Sequence, residues 1–437
     1  MNIKTISLEN FKAFSNKQEL SLAPITLIYG ANSSGKSSII HSLMVLKQSL
    51  LKPNLKGGLT SNKRFLDLGT YPTMVFKHNI NSDITFSIRD NKNNYVAIKY
   101  SYESKEDFSY SKNIELNSNK LEIQIKNSFK DNYTNYFEIS NEFKNKFINQ
   151  KKNSKQQNLF TYWNFTPSEE IPIPQNISLD FSKLIDDEIL KKDIEFSELH
   201  DFYAINNHHY QIGIQSFLKT IKNLSYLGPL RANPQRYYSI ESDYEISVGK
   251  EGENLAYFFQ NNKLKLQSKI NQWFERLDIP YTFEVKNLGN KFSENLLNII
   301  LKDKRINVEV SPMDVGFGIG QILPILVEGL VKKESTICVE QPEIHLHPKL
   351  QAELADYFIE TRKQNQWVIE THSESLMLRI QKRMREGKIT PSDISILYVL
   401  PDEVGSNILK IDLDENGNFI DEWPNGFFEE RLNERFF

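Results

Sequence analysis

Apolar and polar residues change their period along this chain, and the changes divide it into three regions. At the start, Ile3 to Leu8 alternates and Ile25 to Tyr29 is mostly apolar, so both read as strands, and as a strand pair. Gly30 to Lys36 follows them. From Ser37 to Leu50 the apolar residues Ile39, Ile40, Leu43, Met44, Leu46 and Leu50 recur at helical spacing. Between about Phe76 and Tyr136 the period becomes two. Runs such as Ile84 to Ile88, Tyr95 to Tyr100 and Leu121 to Ile125, separated by Asn, Asp and Lys, predict an antiparallel sheet. Asn141 to Asn158 has little to bury and reads as an exposed arm, and helical periodicity returns from Phe181 to Leu224. The last third alternates apolar strands (Thr336 to Glu340, Trp367 to Thr371, Ile394 to Leu400) with helices (Lys349 to Arg362, Glu374 to Arg385), the pattern of a parallel sheet covered by helices.

The expected fold class is therefore α/β with a mixed parallel sheet. One body is built from both chain ends, residues 1–76 and 225–437, with an inserted β-rich and helical region at 77–224. The chain's 437 residues, 39% hydrophobic and 25% charged, suit a packed protein with a sizeable core. A net charge of −3 provides no general attraction to nucleic acid or anionic membranes, so any such binding must use local patches. Lys151, Lys152 and Lys155, and separately Lys382, Arg383 and Arg385, are such patches, and each reads first as a solvated arm or helix face. The single cysteine, Cys338, cannot form an intramolecular disulfide and reads as a small buried strand residue in a reducing, cytoplasmic setting. No apolar run is long enough to predict a membrane span.

The candidate chemistry begins where the first apolar strand meets the first helix. Gly30, Ala31, Asn32, Ser33, Ser34, Gly35, Lys36 and Ser37, followed by Ser38, satisfy G-x-x-x-x-G-K-[ST] between a strand and a helix. Glycines there let backbone N–H groups turn inward around phosphate, and the helix N-terminus adds a favourable field. Lys36 would reach the β and γ phosphates of ATP, and Ser37 would ligate Mg²⁺.

Two further apolar strands end in polar groups. Thr336 to Glu340 is followed by Gln341, Pro342 and Glu343, and the Mg²⁺ site of a P-loop protein needs an acid at such a strand end. Glu340 is the candidate on the metal side. Trp367 to Glu370 is followed by Thr371, His372 and Ser373, which places His372 where an imidazole would sense the γ phosphate. Reading His345, His347 and His372 as a metal cluster is the weaker alternative, because the P-loop calls for Mg²⁺, which prefers oxygen.

Together these elements resemble the ABC-type ATPase superfamily, in particular the ATPases related to the structural-maintenance and overcoming-lysogenisation-defect proteins. The motifs carrying the resemblance are Gly30 to Ser37, Pro342-Glu343-Ile344-His345-Leu346-His347-Pro348 and Thr371-His372-Ser373. Tyr226 to Pro234 and Asp421 to Phe428 resemble the DUF3696 subfamily. The resemblance implies a homodimer in which a signature loop of one copy covers ATP held by the other. The matching segment is Asp314 to Gln321, with Gly316, Gly318, Gly320 and Gln321 as contacts to the trans phosphate, though the usual serine is missing. Gln341 stands where many such enzymes place the water-activating glutamate. A neutral amide is a poor base, so slow hydrolysis is expected, with Glu343 as the alternative activator.

The resemblance further implies a regulatory ATPase in bacterial defence against phage or foreign DNA. Several relatives carry a Toprim-type nuclease after the switch histidine, whereas this sequence ends at Phe437, so the expected effector is a separate nuclease or toxin. The competing reading is a structural-maintenance-like clamp acting on DNA. Its weakness is that no sustained heptad pattern occupies residues 77–224.

Overall fold

The chain opens with β1 (Ile3–Glu9), β2 (Gln18–Ser21), β3 (Ile25–Gly30) and α1 (Lys36–Leu51). β1 and β3 are both strands but not partners. β1 pairs antiparallel with β2 and with β4 (Ile84–Asp90), while β3 lies in a different sheet. From β4 the antiparallel sheet grows through β5 (Tyr95–Glu103), β6 (Phe108–Ser118), β7 (Leu121–Ser128) and β8 (Thr134–Ser140), as the period-two pattern predicts. The strands from residue 84 onward thus continue directly from β1. β9 (Trp163–Ser168) and β10 (Ile171–Leu179) form a separate hairpin, and α2 (residues 211–222) leads into β11 (Leu224–Leu227).

This computed structural model describes residues 3–51, 58–61, 65–118, 121–128, 134–140, 163–168, 171–179, 208, 211–239, 247–289 and 296–424, with the strands between 121 and 179 described by backbone alone. The predicted arm at 141–158, the basic cluster Lys151, Lys152 and Lys155, and the helical stretch from 181 to 207 lie outside the described residues.

After β11 come β12 (Tyr238–Ser239), the long helix α3 (Leu255–Arg276), β13 (Tyr281–Asn287), β14 (Leu296–Asp303) and β15 (Val308–Val310), whose strands form a small antiparallel sheet. The alternating C-terminal elements then follow: α4 (Phe317–Val331), β16 (Thr336–Glu340), α5 (Pro348–Thr361), β17 (Gln366–Glu370), α6 (Glu374–Arg385), β18 (Ile394–Asp402) and β19 (Gly405–Ile411). Their strands take up β3 in the order β11-β16-β17-β3-β18-β19. All neighbours are parallel except the β18–β19 pair.

Alternate residues of this sheet feed two cores. Ile28, Cys338, Val368, Leu397 and Val399 pack with α1, α2 and the antiparallel sheet. Ile25, Leu27, Tyr29, Ile337, Val339, Ile369 and Ile396 pack with α3 to α6 and with Trp423. Both faces are covered, which is why the strands read as nearly continuous apolar runs. α1 is itself enclosed, so even Lys47, Gln48 and Ser49 are buried, and Lys47 donates to the carbonyls of Lys222 and Leu224. Arg383 of α6 is likewise engaged. It bonds Asp356 and Glu386 at 2.6 Å each, so this member of the basic cluster clamps α6 to α5. Among the described residues no helix is long and apolar enough to cross a membrane.

Candidate functional site

β3 delivers Gly30 to the C-terminal end of the sheet's parallel strands, with every strand residue buried. Gly30 has φ +148°, and a Cβ there would lie 2.6 Å from the carbonyl oxygen of Val399. Gly35 has φ +98°, and its Cβ would meet that of Ala13 at 2.6 Å. Both positions therefore require glycine, and the loop between them curls as a phosphate-binding turn does. Lys36 arches back over this loop, its Nζ donating to the carbonyls of Gly30 (3.0 Å) and Ala31 (2.6 Å). Burial pushes the ammonium pKa down, and the nearby Glu370 and Glu343 oppose that shift. The Ser34 hydroxyl is buried and meets no partner, leaving an unused polar group in the turn.

The acid at the end of β16 sits in a dense network. Glu340 is buried, and its Oε1 accepts from the Tyr226 hydroxyl (3.0 Å) and lies 3.1 Å from His41 Nε2. His41 is one helical turn beyond Ser37 on α1, so the helix presents Ser37 and His41 on one side. Tyr226 arrives from β11, the neighbour of β16. Burial, and then Glu340, hold its phenol well above the usual value.

Arg231, just past β11, is buried, and its guanidinium donates to the carbonyls of Glu340 (2.8 Å), Gln341 (3.2 Å) and Pro229 (3.3 Å). Desolvation pushes its pKa down to about 10, against the pull of Glu343 and Glu340. The guanidinium fixes a sharp turn at Gln341, which has φ +45° and donates its N–H to the Glu370 carbonyl at 2.7 Å. Gln341 is thus positioned mainly through its backbone.

Glu343 joins the β16 and β17 ends. Its Oε2 accepts from the Thr371 hydroxyl and its Oε1 from the His372 N–H, each at 2.7 Å. Burial raises its pKa and these bonds oppose the rise. Each oxygen of Glu343 thus accepts one hydrogen bond from the segment that follows β17. His372 is half-buried. Desolvation first, then the charge of Lys36, keep its imidazole pKa below the usual value, so it is neutral near pH 7. Ser373 caps α6, its hydroxyl accepting from the Leu376 N–H at 3.1 Å.

Glu370, the last residue of β17, was not singled out from sequence, although it closes an apolar strand just as Glu340 does. The two are register partners on adjacent parallel strands. Burial and then Glu340 push its carboxyl pKa up to about 7, while Ser37, Lys36 and His41 favour the ionised form. Arg231 and Tyr226 were visible only as part of a sequence stretch, and His41 carried no signal, because their partners are more than a hundred residues away or on another element.

The expected signature segment is not a loop throughout. α4 begins at Phe317, so Gly318, Gly320 and Gln321 lie in its first turns. A Cβ at Gly320 would stand 2.7 Å from Pro234 Cγ and one at Gly318 would stand 3.3 Å from the His345 carbonyl, so these glycines serve close packing within the chain. Gln321 is buried, with Oε1 unpartnered. Gly316, at the helix N-cap, is exposed and has open space around it. His345 is exposed, and His347 caps α5 by accepting from the Lys349 N–H at 3.3 Å. Among the described residues no group of three or more His, Cys, Asp or Glu is arranged to hold a metal ion by itself.

Residues 1–377 match the AAA ATPase domain family, and residues 389–435 match a family described as a protein of unknown function, DUF3696. Trp423, within the second match, packs edge-on against Tyr29 (5.5 Å between ring centroids) and Tyr398 (5.8 Å). Residues 425–437 lie outside the described set. No curated protein matches the chain. Similar solved structures include the SMC head domain from Thermotoga maritima, at 11% identity and TM-score 0.40, covering 94% of this chain and 100% of that one. An SmcHead bound to the C-winged helix domain of ScpA is similar at 12% identity and TM-score 0.43, covering 95% of this chain and 99% of that one. An Smc head domain with an extended coiled coil, bound to the C-terminal domain of ScpA derived from Pyrococcus furiosus, is similar at 12% identity and TM-score 0.43, covering 94% and 96%.

Proposed function

The chain belongs to the AAA ATPase domain family, and from that membership we propose that it binds MgATP at Gly30 to Ser38, hydrolyses it slowly, and uses the ATP-bound homodimer to regulate a separate effector. The observation that carries the reading is the convergence of the glycine-shaped turn and Lys36 with two strand-end carboxylates beside Ser37. The donors available to a cation there, a hydroxyl and carboxylates, are the oxygen ligands Mg²⁺ prefers. Ser37 and Glu340 would hold the ion, whose charge neutralises the phosphates of ATP.

The protein's own groups account for binding and for slowness. Lys36 exchanges its loop carbonyls for phosphate oxygens. Neutral His372, anchored through its backbone to Glu343, stands near Lys36 and can hydrogen-bond the terminal phosphate. Gln341 can orient water but cannot take its proton, which leaves Glu343, tied to Thr371 and His372, as the alternative activator. Gly316, at the open N-terminus of α4, is the signature glycine free to approach a phosphate held by the partner copy. In bacterial defence the effector would be a nuclease or toxin.

The test is steady-state ATP hydrolysis by wild type and Gln341→Glu, with Lys36→Ala as blank. A slow wild type made faster by Gln341→Glu supports a switch that dwells in its ATP-bound state. Brisk wild-type turnover unaffected by the substitution would favour a cycling machine acting on nucleic acid.

A further inference from the structure

Glu370 is 3% exposed, and its Oε2 meets no hydrogen-bond donor. A buried carboxylate oxygen left in that state is costly, and a second acid beside it adds repulsion. Yet β16 and β17 end in Glu340 and Glu370 as direct register partners. The nearby cationic and donor groups are largely committed elsewhere. Lys36 bonds the Gly30 and Ala31 carbonyls, and His41 and Tyr226 both address Oε1 of Glu340. Among the described residues no cationic side chain bonds Glu370, which lies beside Glu340 and Ser37.

We propose that Glu370 is a second carboxylate of the divalent-cation site, so that the nucleotide's metal is held between two adjacent strands by Ser37, Glu340 and Glu370, directly or through its water shell. This rests on the ATP-binding reading above and adds to it a residue outside the Gly30 to Ser37 and Thr336 to Glu343 segments. Mg²⁺ keeps several waters and takes only one or two protein carboxylates, a demand that two strand-end acids meet. A metal between them supplies the partner that Oε2 lacks and removes the repulsion.

The test uses Mn²⁺ as the probe, with the full chain and a non-hydrolysable ATP analogue, and follows Mn²⁺ binding by electron paramagnetic resonance. Nucleotide binding in EDTA is measured separately by calorimetry. Glu370→Gln should weaken Mn²⁺ binding by roughly tenfold or more, as loss of a metal-supporting partner does, while metal-free nucleotide affinity is retained. Glu340→Gln should show a comparable loss. Glu370→Asp, a smaller perturbation of the fold, should bind Mn²⁺ with intermediate affinity and an altered spectrum. If Glu370→Gln and Glu370→Asp bind Mn²⁺ like wild type while Glu340→Gln does not, this proposal is overturned and the ATP-binding reading stands. If wild type binds neither nucleotide nor Mn²⁺, the ATP-binding reading itself fails.

Discussion

The P-loop end of the parallel sheet and the N-terminus of α4 are both rich in glycine, but their glycines serve opposite ends. At the P-loop, Gly30 and Gly35 face the chain's own Val399 and Ala13, and Lys36, Arg231, Glu340 and Glu343 form a buried lattice of hydrogen bonds. At α4 the packing lies further in, at Gly318 and Gly320, and Gly316 faces open space. One region is braced from within the chain around the unpartnered Ser34 hydroxyl and Glu370 Oε2. The other has an exposed helix N-terminus with free backbone donors, where a phosphate from outside can be received.

If the P-loop end is held by its internal network, Arg231→Ala has the largest effect. Three carbonyls lose a charged donor inside the protein, and chemical denaturation should show a loss of about 3 to 4 kcal/mol. An unchanged midpoint would mean that the strand ends hold themselves. Next comes Lys36→Ala, which should weaken ATP binding by about a hundredfold, or ~2.7 kcal/mol by calorimetry. Unaltered affinity would remove the basis for locating the nucleotide at this loop. Gly320→Ala drives a methyl group toward Pro234 and should lower stability by about 1–3 kcal/mol. The smallest effect separates the two regions most sharply. Gly316→Ala should change stability by less than about 0.5 kcal/mol while weakening ATP-dependent dimerisation, read by light scattering. A stability loss equal to that of Gly320→Ala would show that α4 is not open at its start.

Several of these groups could be read in advance. The apolar strand before the T-H-S segment predicts β17, and the helix Glu374–Arg385 begins and ends where its pattern does; the structure adds Ser373 as its cap, with an acid in the first turn and bases in the last. The antiparallel strands beginning near 84, 95 and 121 are equally visible as period two. The pairing of β1 with β4 is not, since each of several apolar strands is a plausible neighbour for β1. Glu370 carries the same mark as Glu340, a carboxylate ending an apolar strand, but the Thr371-His372-Ser373 triplet directly after it is the more conspicuous signal.

What the sequence determined by itself is therefore local. The phosphate-binding turn, the alternation of strands and helices, and the caps depend on residues within a few positions of one another, where backbone sterics and side-chain period decide the outcome. Only the tertiary structure decided which strand ends meet. The sheet order β16-β17-β3 sets β17 between the P-loop strand and the Glu340 strand, so two carboxylates and a helix hydroxyl share one buried site. It also decided which glycines are spent on packing and which remains open, because the atoms they face, Ala13, Pro234 and His345 among them, belong to other elements.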